Sequence, residues 1–133
     1  MKTFTIEIPT IYPSLNAWYA GNSWRKRHAV SNKVKGIMNV AIHDLGLQHS
    51  KFIVFSISVT VHNKYDVDNC VTCVKLFVDC MKDLGIIPDD SKKHFRSFCI
   101  AIDESLPKGT TLITVNEVTD YVDNSKVKKT KKA

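Results

Sequence analysis

KFIVFSISVTVHNKYDVDNCVTCVKLFVDCMKDLG, residues 51–85, changes its period halfway along. In the first half Ile53, Phe55, Ile57, Val59 and Val61 alternate with Ser56, Ser58 and Thr60. That two-residue repeat predicts a strand with one buried face. In the second half Cys70, Cys73, Val74, Phe77, Met81 and Leu84 recur at helical spacing, which predicts a helix over about 69–84 with Gly85 as its stop. A strand therefore feeds a helix through the short polar segment KYDVDN, residues 64–69.

Upstream, KTFTIEIP places Phe4, Ile6 and Ile8 on one face of a strand that Pro9 and Pro13 end. The segment at 13–32 reads as an irregular aromatic and basic loop containing Gly21. A helix follows, with Ser31 as its N-cap, Val34, Ile37, Met38, Ala41, Ile42 and Leu45 at helical spacing, and Gly46 as its end. Downstream, KHFRSFCIAID and GTTLITVNEV read as two strands around a PKG turn. The order β-α-β-α-β-β predicts a two-layer α+β domain with a mixed sheet, spanning about 1–120.

The chain has 133 residues, enough for one domain with a modest core. It contains no signal-peptide pattern and no apolar run of membrane-spanning length, so the sequence predicts a cytosolic protein. Cys70, Cys73, Cys80 and Cys99 do not make a secreted-type framework and read as free core thiols. CVTC at 70–73 has the spacing of a redox motif, but both thiols fall on the apolar stripe. The formal net charge is +6. Five lysines (126, 128, 129, 131 and 132) crowd the last eight residues, so the rest of the chain is nearly neutral. Residues 121–133 read as a disordered basic tail, either merely solvated or a salt-sensitive tether for a polyanion.

The carboxylates carry the chemistry. Asp66 and Asp68, two apart, share one side of an extended backbone, an arrangement that hard divalent cations favour. Asp89 and Asp90 form a second pair beyond the helix. A sixteen-residue helix separates the pairs by roughly 24 Å unless the chain doubles back after Gly85. The competing reading is structural: Asp68 or Asn69 as a helix cap, and PDDS as a turn. Around the helix axis, Lys75 and Asp79 each lie about 20° from Asp68 and Thr72 about 40°. That stripe is either a solvated face or a cation held near phosphate.

TFTIEIPTIYPSLNAWYAG, then DVDNCVTCVKLFVDCMKDLGIIPDDS, then two closing strands resemble the RusA family of Holliday junction resolvases over about residues 3–118. PSLNAWY and DVDN match the family's P-S-x-N-x-x-Y and D-x-D-N motifs. The resemblance departs at the lysine: Thr72 stands where the family lysine usually falls, and Lys75 comes three residues later. It implies a homodimeric, Mg²⁺-dependent endonuclease acting on four-way DNA junctions, with Mn²⁺ as an alternative ion. Asp66, Asp68 and Asp90 would be ligands, Asp89 a helper and Lys75 a catalytic aid. Asn16, Tyr19, Trp24, Arg25, Lys26 and Arg27, with Trp18 and His28 beside them, would meet DNA, and Lys92, Lys93 and Arg96 would extend the track. The alternatives are a non-catalytic DNA-structure binder on the same fold and a nuclease for flaps and other branched DNA.

Overall fold

In a computed structural model, which describes residues 2–19 and 24–119, the chain forms four strands and three α-helices. They are β1 (Thr3–Pro9), α1 (Leu15–Tyr19), α2 (Trp24–Asp44), β2 (Phe55–His62), α3 (Val71–Asp83), β3 (Phe95–Ile102) and β4 (Thr110–Glu117). Gly21 and the basic tail at 121–133 lie outside the described residues.

The strands form one mixed sheet in the order β1-β4-β2-β3. β4 runs antiparallel to both β1 and β2, whereas β3 is parallel to β2. A parallel neighbour requires a crossover, and α3 supplies it. β3 and β4 are thus not partners: β2 lies between them, and the 103–109 connection passes over its end. There Asp103 donates its N–H to the Val61 carbonyl at 2.9 Å and Gly109 donates to His62 at 2.6 Å.

The expected strand alternation places Phe55, Ile57, Val59 and Val61 in the core with Ile6, Ile8, Ile113 and Val115. Val34, Met38 and Ile42 from α2 and Cys73, Val74, Phe77, Cys80 and Met81 from α3 cover that face. The molecule is therefore a two-layer α+β domain. Ile53 departs from the expected pattern: it precedes β2 and is exposed. Cys99 is likewise exposed on β3 and is no core thiol, while Cys70, Cys73 and Cys80 are buried and unpaired.

The sequence reading of 13–32 as irregular is corrected. Residues 15–19 are helical, and α2 begins at Trp24, so Ser31 lies inside a helix and caps nothing. Residues 24–30 contain neither Gly nor Pro, and Arg, Lys and Ala are good helix formers. Their lack of an apolar stripe hid the helix, because the first two turns of α2 pack against little.

The C-terminal end of α3 follows the expectation. Gly85 takes φ +73°, donates its N–H to the Lys82 carbonyl at 3.0 Å, and Ile86 donates to Met81 at 2.8 Å. This is the Schellman closure that glycine favours because a Cβ is costly at positive φ. It turns the chain back and buries Ile86 and Ile87.

Candidate functional site

The segment between β2 and α3 is fixed by its own polar side chains. Asn63 accepts the Tyr65 N–H at 2.9 Å and donates to the Thr10 and Tyr12 hydroxyls, each at 3.3 Å. The buried Tyr12 hydroxyl also bonds the Thr111 hydroxyl at 2.7 Å, and Tyr65 donates to the Tyr12 carbonyl at 3.2 Å. The two tyrosine rings meet edge to face, 6.2 Å apart. Burial holds the Tyr12 phenol well above its ordinary range, so it stays neutral and available as a donor.

The next residues clamp the PSLNAWY segment onto the start of α3. Asn69 accepts the Asn16 backbone N–H at 3.0 Å, and the buried Thr72 hydroxyl donates to the Pro13 carbonyl. Ser14 caps α1 by accepting the Ala17 N–H at 3.1 Å. The two motifs that carry the family resemblance are therefore one hydrogen-bonded unit. Asn16 contributes its backbone to this clamp and Thr72 its side chain.

Asp66 and Asp68 sit on this unit, both exposed and neither in an ion pair among the described residues. Asp66 is extended (φ −65°, ψ 154°), but Val67–Cys70 forms a 3-10 turn leading directly into α3. The extended alternation expected for the pair thus ends at Asp66, and a helical turn sets the relation of the two carboxylates instead. The N–H groups at the start of that turn and of α3 favour negative charge there.

Asp89 and Asp90 lie elsewhere. The return after Gly85 is short. A hydrogen bond from the Asp90 backbone, and after it the Lys82 ammonium at 3.3 Å, hold the Asp89 carboxyl below its usual range. Asp90 lies near Asp79, whose carboxyl is pushed up first by burial and then by Asp90 and Asp83 against the pull of Lys35 and Lys75. From Asp68 to Asp79 the helix rises about 16 Å. The chain thus holds its acidic pairs near opposite ends of α3. Among the described residues no group of three or more His, Cys, Asp or Glu side chains is arranged to hold a metal ion. Lys75 is exposed on α3 and Thr72 is buried, so of the two only Lys75 is available to a ligand.

A cavity of about 560 Å³ opens beside the Asp66 turn, lined by Thr10, His62, Asn63, Lys64, Tyr65, Lys108 and Gly109. Sequence reasoning passed over Lys64, Lys108 and Asn63. Lys64 stands two residues before Asp66, a signal that was legible. Lys108 reaches the turn only because the 103–109 connection crosses the end of β2. The His62 ring donates Nδ1–H to the Leu106 carbonyl at 2.5 Å and holds that connection in place.

The expected DNA-facing residues divide by burial. Trp18 packs against the core, whereas Tyr19 and Trp24 are exposed. Trp24 stacks on His28 with ring centroids 5.2 Å apart. Arg25 and Lys26 are exposed and Arg27 is half-buried along the first turns of α2, so the basic segment is a helix surface and not a loop. Lys92, Lys93 and Arg96 are exposed around the start of β3. Burial raises the Cys70 and Cys73 thiols above their ordinary values, which disfavours the thiolate that redox chemistry at CVTC needs.

No protein-family model matches the chain, and no curated protein is significantly similar to it in sequence. No helix among the described residues is long and apolar enough to cross a membrane.

Proposed function

We propose that the protein is a divalent-metal-dependent endonuclease acting on branched DNA, with the four-way junction as its substrate, as the RusA resemblance implies. One observation carries the reading: two exposed, unpaired carboxylates, Asp66 and Asp68, are held on a hydrogen-bonded turn beside a lysine-lined cavity. Mg²⁺ often takes only one or two protein carboxylates and completes its shell with water and phosphate oxygens. The donor set at 66 and 68 fits that habit. The bound ion would supply Lewis acidity to the scissile phosphate and its attacking water.

The chain's own residues then have separate tasks. Asp66 and Asp68 bind the ion, and Asn63 and Asn69 hold the turn. Lys64 and Lys108 receive backbone phosphates flanking the cut. Lys75, on the next turn of α3, offers positive charge to the phosphoryl oxygens. Arg25 and Lys26 meet phosphate at greater distance, and Tyr19 and Trp24 offer stacking surfaces to unpaired bases at a junction centre. Asp90 reaches the same ion only from a second copy of the chain, because α3 separates it from Asp66 and Asp68 within one.

A DNA-structure binder without chemistry is the second reading, favoured by the separation of the two acidic pairs. Cleavage of a labelled four-way junction against matched linear duplex tests both. Paired symmetric nicks on the junction with Mg²⁺, abolished by chelator and by Asp68→Asn, are expected of the nuclease. Junction binding without cutting, unchanged by Asp68→Asn or Asp90→Asn, would refute it in favour of the binder.

A further inference from the structure

The cavity beside the Asp66 turn is larger than phosphate contact needs. A backbone phosphate asks only for an exposed cation at the surface. At about 560 Å³ the cavity falls in the range of small-ligand sites. Much of its wall is already committed. The Asn63 amide is divided among the Tyr65 N–H and the Thr10 and Tyr12 hydroxyls. Gly109 donates its N–H to the His62 carbonyl and accepts the Thr10 N–H at 2.8 Å. The Tyr65 hydroxyl donates to the Tyr12 carbonyl, and its ring is pinned edge to face on Tyr12. Tyr65 therefore lines the cavity as a rigid aromatic wall.

The remaining polar groups define what fits. Lys64 and Lys108 are exposed and in no ion pair among the described residues. They offer positive charge from two sides, one on the β2–α3 segment and one on the 103–109 connection. His62 offers the opposite polarity. Its Nδ1 bonds the Leu106 carbonyl at 2.5 Å. A carbonyl only accepts, so Nδ1 carries the proton, and in the neutral imidazole Nε2 keeps a lone pair. A complementary ligand has a flat ring for Tyr65, an N–H for His62 and phosphate for the two lysines. A nucleotide has all three, since every nucleobase carries an N–H on its pairing edge.

We propose that the cavity takes one unpaired nucleotide drawn out of the stack at a branch point. Its base lies on Tyr65, an N–H of its pairing edge meets His62 Nε2, and its flanking phosphates meet Lys64 and Lys108. The inference rests on the branched-DNA reading above and deepens it, because the cavity is then what separates branched from linear DNA. In linear duplex that N–H is held by the opposite base, and leaving the stack costs both pairing and stacking; at an open branch point the cost is small. Asp66 follows Tyr65 directly, so a captured base also sets the register of the strand against the carboxylates.

The test is a titration of the full chain, in chelator, followed by amide NMR. Thymidine 5′-monophosphate should shift the signals of Lys64, Tyr65 and Gly109 and bind about tenfold or more tighter than inorganic phosphate, the increment that stacking on an aromatic ring supplies. Its 3-methyl derivative keeps ring and phosphate but lacks the N–H, and should bind more weakly. Duplex with a single bulged thymidine should be bound about tenfold tighter than the same duplex with an abasic spacer at the bulge. Tyr65→Phe should keep these preferences and Tyr65→Leu should lose them, while His62→Phe should erase only the effect of methylation. The ligand comparisons use the unaltered chain, so they stand even if a variant misfolds. Equal affinity for nucleotide and phosphate, no loss on methylation, equal affinity for bulged and abasic duplexes, or shifts confined to α2 would each overturn the proposal. No step reads cleavage. A chain that cuts junctions but fails these comparisons refutes the cavity's role alone, and one that passes them without cutting refutes the nuclease reading alone.

Discussion

Replacing Tyr12 by phenylalanine removes one oxygen from the network that holds the Asp66–Asp68 turn. The ring is 1% exposed, and its hydroxyl bonds Thr111, itself fully buried, at 2.7 Å and accepts from Asn63 at 3.3 Å. Phenylalanine keeps the ring's packing against Tyr65 but strands its partners. Thr111 retains only a 3.5 Å contact with the Thr10 hydroxyl, and the Asn63 amide keeps its 3.3 Å bond to Thr10. Leaving such buried groups short of a partner costs about 1–2 kcal/mol. Unfolding entropy of about 2.1 cal/mol/K per residue gives roughly 0.25 kcal/mol/K for about 120 folded residues, so Tm should fall by about 4–8 °C. Thr111→Val should cost a similar amount. The double variant replaces both hydroxyls by apolar groups of similar shape and should cost less than the sum by about 1 kcal/mol. Calorimetry on all four proteins completes the cycle. Strict additivity would refute the idea that the two hydroxyls act as a pair.

Lys64→Ala and Lys108→Ala should each weaken DNA binding evenly across sequences and reduce the salt slope by about 1, as loss of a phosphate contact does; an unchanged slope would remove the cavity from the DNA track. Deleting residues 121–133 removes the five tail lysines and should flatten the slope by as much as about 4 if the tail contacts phosphate, whereas an unchanged slope would make it a solvated end. Asp79→Asn should stabilise the fold at neutral pH, since burial raises the carboxyl's folded-state pKa and its ionisation above that value opposes folding; the gain should vanish as the pH falls below the carboxylate range, as urea midpoints would report. Tyr12, Cys70, Cys73 and Cys80 are also held above their ordinary values, Cys80 at about 12, chiefly by burial. A raised pKa contributes stability that is complete below the unfolded value and lost as pH rises through the folded one, so urea midpoints should hold level through neutrality and decline from about pH 9 upward; a level alkaline limb would contradict the burial of these groups.

Elements with a buried face could be read from residue order alone. The two-residue repeat of β2 and the stripe on α3 are legible because burial on one side imposes a period on the residues. Gly85 was legible because few other residues tolerate its backbone. The start of α2 was not, because Trp24–Val30 has little to bury and so carries no period. Which strands meet depends on long-range packing: β2 stands between β3 and β4, a choice beyond any local signal. The same packing arranges the site. Asp66 and Asp68 are neighbours in sequence and remain together, whereas Asp89 and Asp90 stay near the far end of α3, because a rigid helix cannot shorten and the turn after Gly85 returns only to Met81 and Lys82. Lys108 meets Lys64 across the end of β2 for the complementary reason: a loop tied to that strand by hydrogen bonds at Val61 and His62 brings together residues that no spacing in the sequence relates.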